Sequence, residues 1–243
     1  MIKKNIGLLG NGEVGKAIGK FYVGKNNCQV YVEEIDTSDF PDKLDILHVC
    51  IPYSDNFIDI VKVHIDNYKP LVIIHSSVPV GTTEKLEYKF AVHSPVRGVH
   101  PNLYDGIKTF VKYIGADFAG AGRLVAEHFE EIGMIPQIVH KSKTTELAKL
   151  LSTTYYATCI AFHSYANKLC EKENLSFEAV MTEWNNSYNV GYMKLGKPEV
   201  IRPILYLPEN DVIGGHCQIP NAKLLEKQYG HDYLLDSILR HTK

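Results

Sequence analysis

The chain has 243 residues, of which 45% are hydrophobic and 22% charged, with a formal net charge of -2. That length buries a core without disulfides or metals, and the near-neutral balance excludes a basic footprint for nucleic acid or an anionic membrane. Five cysteines with no C-x-x-C pair, and eleven histidines with no H-x-x-x-H pair, argue against a disulfide framework and a metal site and favour a reducing cytoplasm.

The opening stretch MIKKNIGLLGNGEVG reads as a strand and a turn rather than a leader, because its apolar run breaks at glycines within a few residues. No later apolar stretch reaches membrane-spanning length. IGLL (6–9) is a short strand, EVGKAIGKFYV has helical spacing at Val14, Ile18, Phe21 and Tyr22, and QVYVEE (29–34) is a second strand. TSDFPDK then leads almost directly into DILHVCIP (45–52), which leaves no room for a long crossover helix. LVIIHSS (71–77), KFAVHSP (89–95), FVKYIGA (110–116) and IPQIVH (135–140) are further apolar runs, with a helix over GRLVAEHFEEIG between the last two. Runs buried on both faces suit a largely parallel sheet. The alternation predicts an α/β fold, a Rossmann-type doubly wound parallel sheet.

The pattern changes near residue 143. TTELAKLLSTTYYATCIAFHSYANKLCEKE predicts one long helix, apolar around much of its circumference and therefore buried on more than one side. LSFEAVMTEW opens a second helix with Ser176 as its N-cap. YNVGYMKLGKPEVIRP (188–203) reads as irregular, and NAKLLEKQYGHDYLLDSILRHTK as two short helices split at Gly230. The expected organisation is a Rossmann domain over residues 1–143, followed by a smaller all-helical domain over 144–243.

Gly10, Gly12 and Gly15 stand in G-x-G-x-x-G spacing. In that motif the first glycine permits a tight turn, the second lets the backbone approach a pyrophosphate, and the third lets helix and strand pack closely. Asn11, Glu13 and Val14 complete the loop, and the helix start that follows favours an anion. Glu33, eighteen residues after Gly15, is placed to accept hydrogen bonds from the adenosine ribose, and Glu34 beside it can take the same role. A carboxylate there repels a 2′-phosphate, so NAD is the expected cofactor. Turn glycines in a fold that binds nothing would show the same triplet. The strand before it, the helix after it and the acidic residue are what make it a dinucleotide signal.

Four collinear segments, VCIPYS (49–54), HSSVPVGTTEKL (75–86), ELAKLLSTTYYATCIAF (146–162) and GGHC (214–217), carry a resemblance to the UDP-glucose/GDP-mannose dehydrogenase family. The resemblance spans roughly residues 5–225 and implies NAD-dependent oxidation of a sugar or another small alcohol. It places Pro52 beside the pyrophosphate and Ser77 and Val78 beside the nicotinamide. It makes Lys149 the active-site lysine and Cys217 a nucleophile that traps an aldehyde as a thiohemiacetal. A helix expected to start near Pro220, and Lys149 itself, would favour a thiolate at Cys217. A small buried thiol is the other reading of that residue. His216, Thr153 and Asn221 are the expected substrate contacts.

Departures from the family accompany the match. Val96 stands where the family has a glutamate that handles water and protons, Thr153 where it has an asparagine, and Pro220-Asn221 where it has Lys-Asp. The implied form is a short one without the family's third, nucleotide-sugar domain. SPVRGVHPN is also similar to the P-V-S-G-G turn of β-hydroxyacid dehydrogenases, in which the lysine is the general acid/base and no cysteine takes part. Arg97 then stands where a serine contacts a carboxylate, and could hold one by two parallel hydrogen bonds. A solvated surface arginine is the commoner state. His93 and His100 flank the turn, as structural residues or proton carriers.

Three functions stay open: covalent catalysis through Cys217, two-electron oxidation through Lys149 alone, and NAD binding without turnover. The expected partners are a small-molecule substrate, a sugar or a carboxylate, held in an interdomain cleft, and a second copy of the chain paired through the long helix.

Overall fold

The structure, a computed structural model, describes residues 3–99, 101–208, 212–213 and 217–240. The chain divides into two compact units, Met1–Lys149 and Leu150–Lys243. Among the described residues all strands lie in the first.

Unit 1 carries eight strands: β1 (Lys4–Leu9), β2 (Cys28–Glu34), β3 (Thr37–Ser38), β4 (Ile46–Val49), β5 (Leu71–Ile74), β6 (Ala91–His93), β7 (Val111–Ala116) and β8 (Ile135–His140). They form one sheet in the order β3-β2-β1-β4-β5-β6-β7-β8. This is the doubly wound order, with its switch point between β1 and β4, where ligands bind beyond the carboxyl ends of the strands. Two pairings are antiparallel. β7 runs against β6, with Val92 opposite Ala116. The two-residue β3 folds back on β2, with Glu33 opposite Ser38. The lean TSDFPDK stretch thus becomes a hairpin edge in place of a crossover helix.

Helices α1 (Glu13–Gly19), α2 (Phe57–Tyr68), α3 (Leu103–Thr109) and α4 (Ala119–Ile132) cover the sheet. On one face Ala17 and Ile18 of α1, Leu103 and Ile107 of α3, and Ala121, Val125 and Phe129 of α4 pack against Ile6, Leu8, Ile46, Ile73 and Ile114. On the other, Phe57, Val61 and Ile65 form an i, i+4, i+8 stripe on α2 that meets Leu9, Leu47, Val49, Val72 and Ile74. Central strands buried on both faces account for the unbroken apolar runs of the sequence. Helix α4 ends at Gly133, whose φ of 90° is the left-handed geometry that lets the N–H of Met134 reach the carbonyl of Phe129.

Helix α5 (Ser142–Lys172) starts in unit 1 and runs on into unit 2, so the division falls inside it, six residues past the position expected from sequence. Its apolar circumference is not covered all round: Leu151, Tyr155, Phe162, Tyr165 and Leu169 are exposed, while Ala157, Ala161, Ala166 and Cys170 are buried. Unit 2 continues with a π-helical turn (Glu178–Glu183) leading into α6 (Trp184–Lys194), then α7 (Gln218–Tyr229) and α8 (Tyr233–Leu239). The Oγ of Ser176 accepts from the N–H of Ala179, as an N-cap does.

Two expectations need correction. Residues 188–194 are helical, not irregular: WNNSYNVGYMK has no apolar stripe to announce a helix, and the preceding turn carries it forward. Helix α7 begins at Gln218 rather than near Pro220, because proline, lacking an N–H and fixed at a helical φ, is tolerated in the first turn.

Candidate functional site

The loop after β1 has the shape a dinucleotide requires. Gly10 adopts φ +94°, a conformation L side chains rarely take. A Cβ on Gly15 would lie 2.0 Å from the Gly10 carbonyl oxygen, so only glycine lets α1 pack this close to the strand end. Gly12, at the N-cap position of α1, has extended backbone, and a Cβ there would meet no protein atom within 4 Å. The first and third glycines are therefore demanded by the fold. The second is not, and it faces open space at the switch point, where a bound group would need the missing side chain. Asn11, Glu13 and Val14 lie in the same turn, with Val14 packed on the core below.

The two acidic residues at the end of β2 point to different partners. Glu33 is engaged away from the loop: its carboxylate accepts from the Ser38 hydroxyl at 2.6 Å and pairs with His64 Nε2 at 2.6 Å. The Glu34 carboxylate accepts from the N–H of Asn11 and so lies over the glycine loop.

Past β4 and β5 the chain follows the same edge. Pro52 is exposed, Ser77 half-buried and Val78 fully buried. Ser76 donates to the Ile51 carbonyl at 2.5 Å, which joins the two segments. The VPVGTT turn is held by Glu146, a residue the sequence reading passed over. This buried carboxylate accepts from the N–H of Gly81 (2.6 Å), the N–H of Thr83 (2.9 Å) and the Thr83 hydroxyl (2.7 Å). Burial raises its pKa despite those three donors. One turn further along α5, Lys149 is half-buried and its Nζ donates to the Val96 carbonyl at 3.0 Å. The spacing of Glu146 and Lys149, three apart on one helix face, was the available signal.

The SPVRG turn that offers the Val96 carbonyl is clamped from behind by α3. A Cβ on Gly106 would lie 2.4 Å from the Gly98 Cα. Val96 is buried in the core, and Arg97 is exposed. The Arg97 guanidinium donates to the Val111 carbonyl at 2.8 Å and packs over the rings of Phe110 and Tyr113. It is thus anchored to β7, the fork expected for a carboxylate already sharing one arm with the backbone. His93 is buried between Thr145 Oγ1 (2.8 Å) and the Ser76 carbonyl (3.1 Å), and burial pushes its pKa down to about 3.

In unit 2 the structure gathers three of the expected residues. Cys217 occupies the N-cap position of α7, and its carbonyl accepts from the N–H of Asn221 at 3.1 Å. The buried Asn221 side chain donates to Thr153 Oγ1 of α5 at 2.9 Å. Gly214, Gly215 and His216, with their expected roles, lie outside the described residues, as does His100. Glu226, His231 and Asp236 come together at the α7–α8 corner as metal-type ligands, but the trio is exposed or half-exposed and His231 already pairs with both carboxylates.

A second group was missed entirely. His48 of β4 and His75 just past β5 are buried in the α1/α4 face, linked to each other (2.8 Å), to Tyr22 and, through it, to His128 of α4. Lys112 of β7 lies at the far end, 2% exposed, donating to the carbonyls of Ser94 and Pro95. Burial moves the pKa of His48, His75 and Lys112 well down and that of the neighbouring Cys50 thiol up to about 12, so it disfavours the charged form of every member. Each of three consecutive strands ends in or near a histidine (LHV, IIH, AVH), a regularity visible only once the strands are aligned.

No family model matches the chain. A curated protein, the UDP-N-acetyl-D-mannosamine dehydrogenase of Methanocaldococcus jannaschii, is 22% identical over 199 residues, which cover 73% of this chain and 43% of that protein. The chain thus spans less than half the length of that relative. Among solved structures, a UDP-D-ManNAc dehydrogenase from Pyrococcus horikoshii superposes with a TM-score of 0.77 at 17% identity, covering 98% of this chain and 68% of that one. The 3-hydroxyisobutyrate dehydrogenase of Mycobacterium tuberculosis gives 0.70 at 14% identity, covering 98% and 92%. At these identities the superpositions speak for the fold alone. The curated match agrees with the collinear motifs in the chain's resemblance to the UDP-glucose/GDP-mannose dehydrogenase family.

Proposed function

We propose that the chain is an NAD-dependent dehydrogenase acting on a CH–OH group, with a sugar nucleotide or a related small alcohol as substrate. The observation that carries this reading is the Gly10–Gly15 turn, in which the one glycine the fold does not need, Gly12, faces open space at the switch point. Glu34, already over that loop, would receive the adenosine ribose, and its charge favours NAD over NADP. Bound NAD would supply the hydride acceptor. Lys149, oriented by the Val96 carbonyl and by the Glu146 clamp one turn earlier, would take the hydroxyl proton as the carbonyl forms.

A second reading adds a covalent step, and one observation favours it. Cys217 sits at the start of a twelve-residue helix, where the positive end of the helix dipole favours a negative charge. With Cys217→Ser, turnover of UDP-N-acetyl-D-mannosamine would cease if the thiol traps an aldehyde, and would largely persist if Lys149 works alone. We further propose a homodimer, supported by the exposed row Leu151, Tyr155, Phe162, Tyr165 and Leu169 on α5. Five cysteines with no C-x-x-C pair support a reducing, cytoplasmic setting.

The decisive test is thermal. Saturating NAD should raise the Tm of the wild type. Gly12→Ala should leave the Tm without NAD nearly unchanged and reduce or abolish the rise, because its Cβ enters the open space of the loop and meets no protein atom within 4 Å. No shift in the wild type would sink the dinucleotide reading.

A further inference from the structure

The buried histidine group in unit 1 can be given a direction, starting from the Ser94 carbonyl. The Ser94 carbonyl can only accept, so His75 Nδ1, 2.9 Å away, carries a proton. His75 Nε2 is then bare and accepts from His48 Nδ1–H at 2.8 Å. His48 Nε2 in turn accepts the Tyr22 hydroxyl at 2.5 Å, and the Tyr22 oxygen accepts from His128 Nε2–H at 2.6 Å. That leaves His128 Nδ1 as a bare acceptor. It is the one nitrogen of the series with no hydrogen-bond partner among the described residues, and it lies 3.8 Å from the Glu131 carboxylate, which pairs with Lys4 at the surface.

At the inner end, Lys112 Nζ lies 3.2 Å from His75 Nδ1 and contacts the Ser94 and Pro95 carbonyls. Two hydrogens for two carbonyls and one lone pair toward His75 is the full complement of a neutral amine. Every member is thus satisfied in one polarity, save the outer nitrogen, which is buried beside the Glu131 carboxylate.

We propose that His128, Tyr22, His48 and His75 form a proton path between the surface carboxylate of Glu131 and Lys112. A proton arriving at His128 Nδ1 releases the Nε2 proton to the Tyr22 oxygen. The Tyr22 hydroxyl proton passes to His48 Nε2, the His48 Nδ1 proton to His75 Nε2, and the His75 Nδ1 proton to the Lys112 lone pair. One charge enters, one ammonium forms, and each imidazole ends neutral in its other tautomer. The reverse passage returns the proton and restores the first polarity. The groups that face the path are Lys4, Glu131 and Cys28 around its outer half and Cys50, His93, Arg97 and Lys149 around its inner half. Lys112 and Lys149 hold adjacent carbonyls, those of Pro95 and Val96. Use of the path in turnover rests on the dehydrogenase reading, in which one proton accompanies each hydride. The path itself does not.

The test needs no substrate. In nitrogen-15-labelled protein moved into deuterated water, the exchange of the His75 Nδ1 proton is compared with that of the His75 backbone N–H, which is bonded to the Val49 carbonyl at 2.9 Å inside the sheet. Exchange through the path makes the ring proton at least about a hundredfold faster than the amide, which needs local opening. Tyr22→Phe keeps the ring stacked on His128 but removes the oxygen, and should slow the ring proton at least about tenfold while the amide is unchanged. His128→Phe removes the outer entry and should do the same, which covers the case in which Tyr22→Phe folds poorly. A wild-type ring proton that exchanges no faster than its own amide, or one indifferent to both substitutions, overturns the path. Neither result depends on whether NAD binds.

Discussion

The two faces of the central sheet solve the same packing problem with different chemistry. Toward α2, strands β1, β4 and β5 present Leu9, Leu47, Val49, Val72 and Ile74 to Phe57, Val61 and Ile65. Toward α1 and α4, the same strands interleave Ile46 and Ile73 with His48 and His75, and Tyr22 and His128 reach in from the helices. Apolar side chains would have filled that space with less risk, since a buried polar group is costly unless each partner is present. The first face sets stability by volume. The second makes stability conditional on protonation.

Acid should separate the faces most strongly. In the unfolded chain a histidine takes up its proton near pH 6.5. In the folded chain burial holds His128 at about 4 and moves His48 and His75 well down. The unfolded state therefore binds more protons below pH 6.5, so the stabilisation is complete above that pH and is lost as pH falls toward 4. Each histidine kept neutral removes on the order of 1.4 kcal/mol per pH unit across the window. Urea midpoints measured from pH 7.5 to 4.5 should fall steeply below 6.5, and a flat profile would contradict the neutral face.

Phe57→Ala tests the apolar face. Its side chain is fully buried, so truncation should cost about 3–5 kcal/mol through lost transfer and a residual cavity. That loss should be the same at pH 7.5 and pH 5.5, because no titrating group changes its surroundings. Lys112→Met keeps the length and removes the amine, which strands the Pro95 carbonyl and leaves the Ser94 carbonyl to His75 alone. A cost of about 1–3 kcal/mol is expected, read as a lower urea midpoint at pH 7.5. Lys4→Met is the smallest step. Its pair with Glu131 is surface-exposed, so stability should change by no more than about 1 kcal/mol, and the change should shrink in high salt.

Elements whose burial dictates composition were legible. The strands fell where apolar runs met turn residues, and the glycine loop announced itself because two of its three positions admit no side chain. Helix α6 was missed at Tyr188–Lys194 because asparagine, glycine and tyrosine carry no apolar period there. The candidate site was proposed from local signals, at Gly10–Gly15, Lys149 and Cys217. Glu34 was only the alternate to Glu33, since period-2 alternation says that two neighbours face opposite ways but not which one meets the loop. The histidine group was illegible for a stronger reason: its members come from two helices and several strands, and only the assembled sheet brings Tyr22 within reach of both His48 and His128.

The hairpin edge at β3 bears on how copies of the chain can meet. β3 covers only the end of β2, but the chain that follows continues the cover: the Asp39 carboxylate accepts the Val32 N–H, and the Asp39 N–H donates to the Val32 carbonyl at 3.1 Å. A strand edge whose ladder groups are already answered by a carboxylate offers no template to a neighbouring chain. Sheet-to-sheet growth is opposed over Val32–Glu34 of this margin by the hairpin and one aspartate.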